Sequence, residues 1–254
     1  MGSATDSDAM DMEQARAQLA PSGVLKAAIN LGNPILVQQD LRTGELGGVA
    51  IGLARALAAR LAVKLELVPF ETPGLVTDSA GSGAWNVALL AVQPAREKVI
   101  DFSAPYLAIE GAYVVWNDAP YTGIDDIDRP GVRIAVGTKT AYELFLSRQI
   151  KHAELVHAPS SEASLQLFLE GRLEAAAGIR QALEAFAAGH RDLRVLEGQF
   201  MAIEQAMGVP KGRQAAASYL RSFVNEMKSA GFVADELARS GQDRGMALPV
   251  SGTA

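Results

Sequence analysis

Arg96 stands in the stretch "AVQPAREKVIDFSAPY" (91–106), just past the apolar run "WNVALLAV" (85–92), which reads as a buried strand. A guanidinium where the chain leaves a core strand is placed to receive an anion. The competing reading is a surface ion pair with Glu97 or Asp101. A second group of polar residues follows another apolar strand: Thr138, Lys139 and Thr140 in "GTKT" (137–140). Thr140 with Glu143 three positions on has the form of a capping box, so a helix begins at Thr140 with its first amides turned toward the end of strand 132–136. Lys139 in that turn would attract an anion, or is simply an exposed turn lysine. Asn33 lies in the loop "LGNP" (31–34), where it either meets a ligand or shapes the turn.

The elements that position these residues alternate between strand and helix. "VLKAAIN" (24–30) reads as a strand, "GVAIGLARALAARLAV" carries a helical apolar face through Ile51, Leu53, Ala54, Leu57, Ala58 and Leu61, and "KLELVPF" (64–70) is the next strand. After the core strand 85–92, the Arg96 segment and an apolar strand at 111–116, the pattern starts again: strand 132–136, helix 141–150, strand 154–158 and helix "SEASLQLFLE" closed by Gly171. Strand 173–178, helix "RQALEAFAAG", the strand-like "LRVL" and "EQAMGVP", and two last helices at 215–231 and 233–241 complete it. The class is α/β with mostly parallel sheets. Two starts of one pattern predict two lobes with a ligand cleft between them, and ligands in such folds sit beyond the carboxyl ends of strands, at helix N-termini. Asn33, Arg96 and 138–140 all fall there. The expected division is 21–108 with 207–254 as lobe 1 and 109–206 as lobe 2, with chain crossings near 108–112 and 205–208. Residues 1–20 read as an N-terminal extension or a cloning remnant.

Composition removes several classes of function. With 49% hydrophobic and 20% charged residues the chain has ample material for a packed core, and no apolar run approaches the roughly 20 residues of a membrane span. A net charge of -6 with no basic cluster argues against nucleic acid. The absence of cysteine removes disulfides, thiolate metal sites and a cysteine nucleophile. His152, His157 and His190 lack metal-ligand spacing and read as surface residues, "GSG" (81–83) lacks the context of a phosphate loop, and neither metal nor cofactor is expected. The start "MGSATDSDAMDMEQARAQLA" has no secretory-signal pattern. Two readings stay open: a signal removed upstream and a periplasmic protein, or a native start at Met1 or Met10 and a cytoplasmic one.

Over nearly its whole length the chain resembles the family 3 extracellular solute-binding proteins, the amino-acid receptors of ABC importers, with the type II periplasmic-binding-protein fold. The resemblance is carried by "LKAAINLGNP", "GELGGVAIGLARALAARL", "AWNVALLAVQPAREKVIDFSAPY", "GVRIAVGTKTAYELFL" and "SYLRSFVNEMKSAGFVADELARSG" in that order. It implies that Arg96 grips a ligand carboxylate as a bidentate fork, a geometry that lysine cannot copy. It implies also that 137–140 adds backbone amides and the Thr138 hydroxyl, with Thr140 busy as the cap, and that Asn33 covers the ligand. Trp85, Phe102 and Tyr106 read as core.

Two departures change what the resemblance implies. The family presents hydroxyls at the end of the strand before the arginine, where this chain has Ala88, Leu89 and Ala91. It also places an aspartate for the ligand's ammonium where this chain has Ile179, between Gly178 and Arg180. An ammonium buried without a carboxylate costs several kcal/mol, on the order of a desolvation penalty. A small carboxylate therefore suits the site better than a standard amino acid, unless Glu110 or Glu204 replaces the aspartate. The expected function is a monomeric, non-enzymatic receptor for such a ligand, working with the membrane subunits of an ABC importer. The alternatives are a cyclohexadienyl-dehydratase-like enzyme, with Glu110 or Glu204 as general acid, and a sensor or binding module independent of any importer.

Overall fold

The computed structural model describes residues 12–250, so both alternative starts, Met1 and Met10, lie outside the described residues. The chain divides into two compact units at Ala108/Ile109 and again at Ile203/Glu204. The second division falls just before the crossing expected at 205–208.

The first unit opens with a helix over 12–19, α1, followed by β1 (Val24–Asn30), the short pair β2 (Gln38–Gln39) and β3 (Leu46–Gly47), and α2 (Val49–Arg60). Then come β4 (Lys64–Phe70), α3 (Pro73–Asp78), β5 (Val87–Ala91) and β6 (Ile100–Phe102). The strand β7 (Leu107–Trp116) carries the chain into the second unit. That unit holds β8 (Arg133–Gly137), α4 (Ala141–Gln149), β9 (Glu154–Ala158), α5 (Ser161–Glu170), β10 (Ala175–Ile179), α6 (Arg180–Ala188) and β11 (Leu193–Val195). β12 (Met201–Pro210) brings the chain back, and α7 (Gln214–Ser229) and α8 (Phe232–Arg239) finish the first unit.

Each unit is built on three parallel strands. In the first, β4 and β5 flank β1, with Ala27 opposite both Leu67 and Val87, and β12 runs antiparallel beside β5 with Gln205 opposite Ala91. In the second, β9 and β10 flank β8, and β7 runs antiparallel beside β10 with Ile179 opposite Gly111. Parallel strands are covered on both faces and read as continuous apolar runs, and all five residues of β5, "VALLA", are buried. One face of the first sheet packs Ala28, Ala88 and Leu90 with Trp85, Val76 and Ile100. In the second unit Ala112, Val114, Ala135 and Ala176 pack against Phe168, Leu173 and Leu183.

Apolar periodicity located the long elements well, because burial on one helical face or in a parallel core leaves a plain pattern. Local signals gave less. Helix α3 is too short for a period and is marked only by its Thr72 cap and Pro73. The described part of the N-terminal extension is also structural: Ala15 and Leu19 are buried, and Gln18 Oε1 accepts the Ala216 N–H at 3.0 Å, capping the first turn of α7. Trp85 and Tyr106 are core residues, and Phe102 is half-buried against the Trp85 cluster.

Candidate ligand-binding site

In the first unit polar side chains collect at the carboxyl ends of β1 and β5. Residues 93–100 form a tight turn: the Gln93 carbonyl accepts from Arg96 N–H (2.8 Å) and Glu97 N–H (3.0 Å), and the Arg96 carbonyl accepts from Val99 and Ile100. The turn carries Arg96 back over the strand end, where Nη1 donates to the Ala91 carbonyl at 2.7 Å. The side chain is only 1% exposed, so Arg96 does not lie at the surface. Burial brings its pKa down to about 10, because the charged form has left water. An anion meeting this guanidinium would offset that penalty.

Asn33 is buried, and its Oδ1 accepts the Ile35 N–H at 3.1 Å while its carbonyl accepts from Leu36 and Val37. The turn-shaping role is therefore present, and the Nδ2 donor is the part of the amide left to meet an anion. Two residues passed over in the sequence belong to the same end of the sheet. Gln93 is buried at the start of the arginine turn. Gln205 sits opposite Ala91 at 2% exposure, and its Oε1 has no hydrogen-bond partner. A polar residue inside an otherwise apolar run, as in "AVQP" and "EQAMGV", was the available signal.

The second unit offers less than expected from 137–140. The Thr138 amide and hydroxyl both donate to the Ala158 carbonyl, at 2.8 and 2.9 Å, so the hydroxyl proton is spent on β9. The Thr140 amide donates to Gly137 and the Lys139 amide to the Glu143 carboxylate at 3.0 Å. The amides of 138, 139 and 140 are thus all committed to partners within the second unit. Thr140 caps α4, accepting from Glu143 N–H at 3.2 Å. Lys139, in the left-handed region at φ 59°, brings its amide to the same carboxylate. The amides left at this helix start are those of Ala141 and Tyr142.

Gly178 answers to packing, since a Cβ there would lie 2.9 Å from Leu183 Cδ2. Ile179 is half-buried, forms the N-cap of α6 and offers no acceptor. The next residue, Arg180, ion-pairs through Nε with Glu110 of β7, and its Nη2 donates to the Gly198 carbonyl. Glu110 is therefore committed to a guanidinium of its own unit. Glu204 is exposed and lines a groove of about 420 Å³ on the first unit with Asp101, Lys211 and Arg221. His152 and His157 are exposed, and no cluster fit to hold a metal occurs among the described residues.

Two parallel cores, each closed by an antiparallel crossing strand, define the two-lobed solute-binding class. Residues 26–239 match the bacterial extracellular solute-binding proteins, family 3, and the chain belongs to that family. Among curated proteins it is 24% identical to the L-cystine-binding protein TcyJ of Escherichia coli over 193 residues, 74% of this chain and 71% of that one. It is 26% identical to a cyclohexadienyl dehydratase of Pseudomonas aeruginosa over 161 residues, 62% of this chain but only 59% of the dehydratase. Among solved structures, a mutant of ArgBP from T. maritima superposes with a TM-score of 0.74 at 22% identity, covering 89% of this chain and 99% of its own. The amino acid ABC transporter substrate-binding protein AbpA of Streptococcus pneumoniae, solved bound to L-arginine, gives 0.74 at 21%, covering 87% and 96%. These structures share the two-lobed periplasmic-binding-protein fold. Among the described residues no helix is long and apolar enough to cross a membrane.

Proposed function

We propose that the chain is a non-catalytic, periplasmic receptor that delivers a small carboxylate to the membrane subunits of an ABC importer. The observation that carries the reading is Arg96: a guanidinium 1% exposed, aimed by the Ala91 carbonyl at the carboxyl end of a parallel strand. Holding a buried cation there costs stability, and a carboxylate ligand returns that cost as a charge-assisted, bidentate contact. The ligand bears no ammonium. Ile179 is apolar, Ala88, Leu89 and Ala91 supply no side-chain acceptor, the unpartnered Gln205 Oε1 carries no charge to match an ammonium, and Glu110 is paired with Arg180. The relatives that bind amino acids support the receptor role, and these four positions and that ion pair narrow the ligand class.

Calorimetry on matched pairs, each an α-amino acid and the 2-hydroxy acid with the same side chain, tests the reading. The hydroxy acid is expected to bind roughly ten- to a hundredfold more tightly, the worth of one charge-assisted hydrogen bond. A clear preference for the amino acid would overturn it. The similarity to a cyclohexadienyl dehydratase supports a second reading, an enzyme on the same fold. Incubation with a cyclohexadienyl carboxylate, followed for loss of water, separates the two.

A further inference from the structure

We infer that Arg180 is a specificity-determining residue: by occupying Glu110 at the strand end of the second unit it withholds that carboxylate from ligands that carry an ammonium. The inference rests on the carboxylate-receptor reading above and concerns residues of the second unit alone.

Arg180 is the first residue of α6, directly after the carboxyl end of β10, where ligands of parallel α/β folds are met. The pairing of Ile179 with Gly111 puts Arg180 next to Glu110 in the register of β10 and β7. Four partners hold the guanidinium: Glu110 through Nε, the carbonyls of Gly198 and, at 3.3 Å, Leu196, and Glu184 one helical turn on at 3.7 Å. Its side chain is 17% exposed, against 51% for Glu110 and 55% for Glu184. The arginine is thus the fixed member of the cluster, since the 196–200 segment that carries its two carbonyl acceptors is itself tied to β7 by Leu196 N–H to Tyr113 and Phe200 N–H to Gly111, both 2.9 Å.

The chemistry follows from sign. The start of α6 carries the positive end of a helix dipole, and Arg180 sets its guanidinium there between the Glu110 and Glu184 carboxylates. A ligand ammonium arriving there meets like charge, an apolar Ile179 side chain, and a Glu110 carboxylate whose charge is already matched. A hydroxyl or a second anionic group pays no such penalty.

The test is a set of titrations with matched L-amino acids and L-2-hydroxy acids on the whole chain, its Arg180→Ala and Arg180→Met variants, Glu110→Gln, and the double variant Arg180→Ala/Glu110→Gln. Removing the guanidinium frees Glu110 and removes the like charge. Both Arg180 variants are therefore expected to move the affinity ratio at least tenfold toward the amino acid. Glu110→Gln alone should not move the ratio toward the amino acid, and the double variant should lose the gain. A ratio unchanged within threefold in Arg180→Ala or Arg180→Met overturns the inference while leaving the receptor reading intact. So does Glu110→Gln moving the ratio toward the amino acid in the otherwise native chain, a measurement that needs no folded Arg180 variant. If the native chain binds neither series, the receptor reading fails first and the inference falls with it.

Discussion

Replacing Arg96 by methionine removes the buried charge but keeps an unbranched side chain. Burial lowers the Arg96 pKa to about 10, and at about 1.4 kcal/mol per tenfold change that fall disfavours the charged form by roughly 3 kcal/mol. The sign matters. A cation whose folded pKa lies below its unfolded value carries the full penalty at every pH below about 10, and the penalty fades only as the pH rises past that point. At neutral pH the methionine variant therefore recovers roughly 3 kcal/mol. It loses the bond to the Ala91 carbonyl, a charge-assisted hydrogen bond of about 1.5–3 kcal/mol. The two nearly cancel, so unliganded stability should stay within about 1.5 kcal/mol of the native protein. Ligand binding has no such compensation. A 2-hydroxy acid that adds roughly 2.7 kcal/mol to the native protein at 100 times its dissociation constant should add nothing measurable to the variant. Denaturant unfolding with and without the acid reads both quantities. A loss of more than about 4 kcal/mol without ligand would show that Arg96 is a structural keystone, since that exceeds the tail of ordinary substitutions. Affinity retained within threefold would show that the carboxylate is held elsewhere. Either result refutes the reasoning.

Thr140→Ala removes the cap of α4 and the donor to the Gly137 carbonyl, and should cost about 1 kcal/mol, seen as a fall of roughly 2–4 °C in Tm. Gly137→Ala puts a Cβ 2.7 Å from the Ser161 amide nitrogen, a backbone atom that cannot swing aside, so denaturant unfolding should show a loss of about 1–3 kcal/mol. Glu174 has its pKa lowered chiefly by its hydrogen bonds to Arg133, so its contribution is present above the unfolded carboxylate value and is lost as the pH falls through the folded one. Arg133→Met should therefore flatten the loss of stability between about pH 5 and pH 3, followed by chemical unfolding at each pH.

By itself the sequence determined the alternation of strand and helix, the repetition of that pattern, and the buried parallel strand that leads to Arg96. These are properties of periodicity and of runs such as "VALLA", which record burial without reference to distant partners. It also determined that Thr140 caps a helix, because capping is settled within four residues. Tertiary structure alone decided which polar groups remain available. Thr138 spends its hydroxyl on Ala158 twenty positions away, Glu110 is matched to Arg180 seventy positions on, and Gln205 is brought opposite Ala91. Such pairings depend on sheet register and on the return of a crossing strand, and no local pattern encodes them. The same holds for Arg96: its residue type suggested an anion, but only the fold withdrew its guanidinium from water.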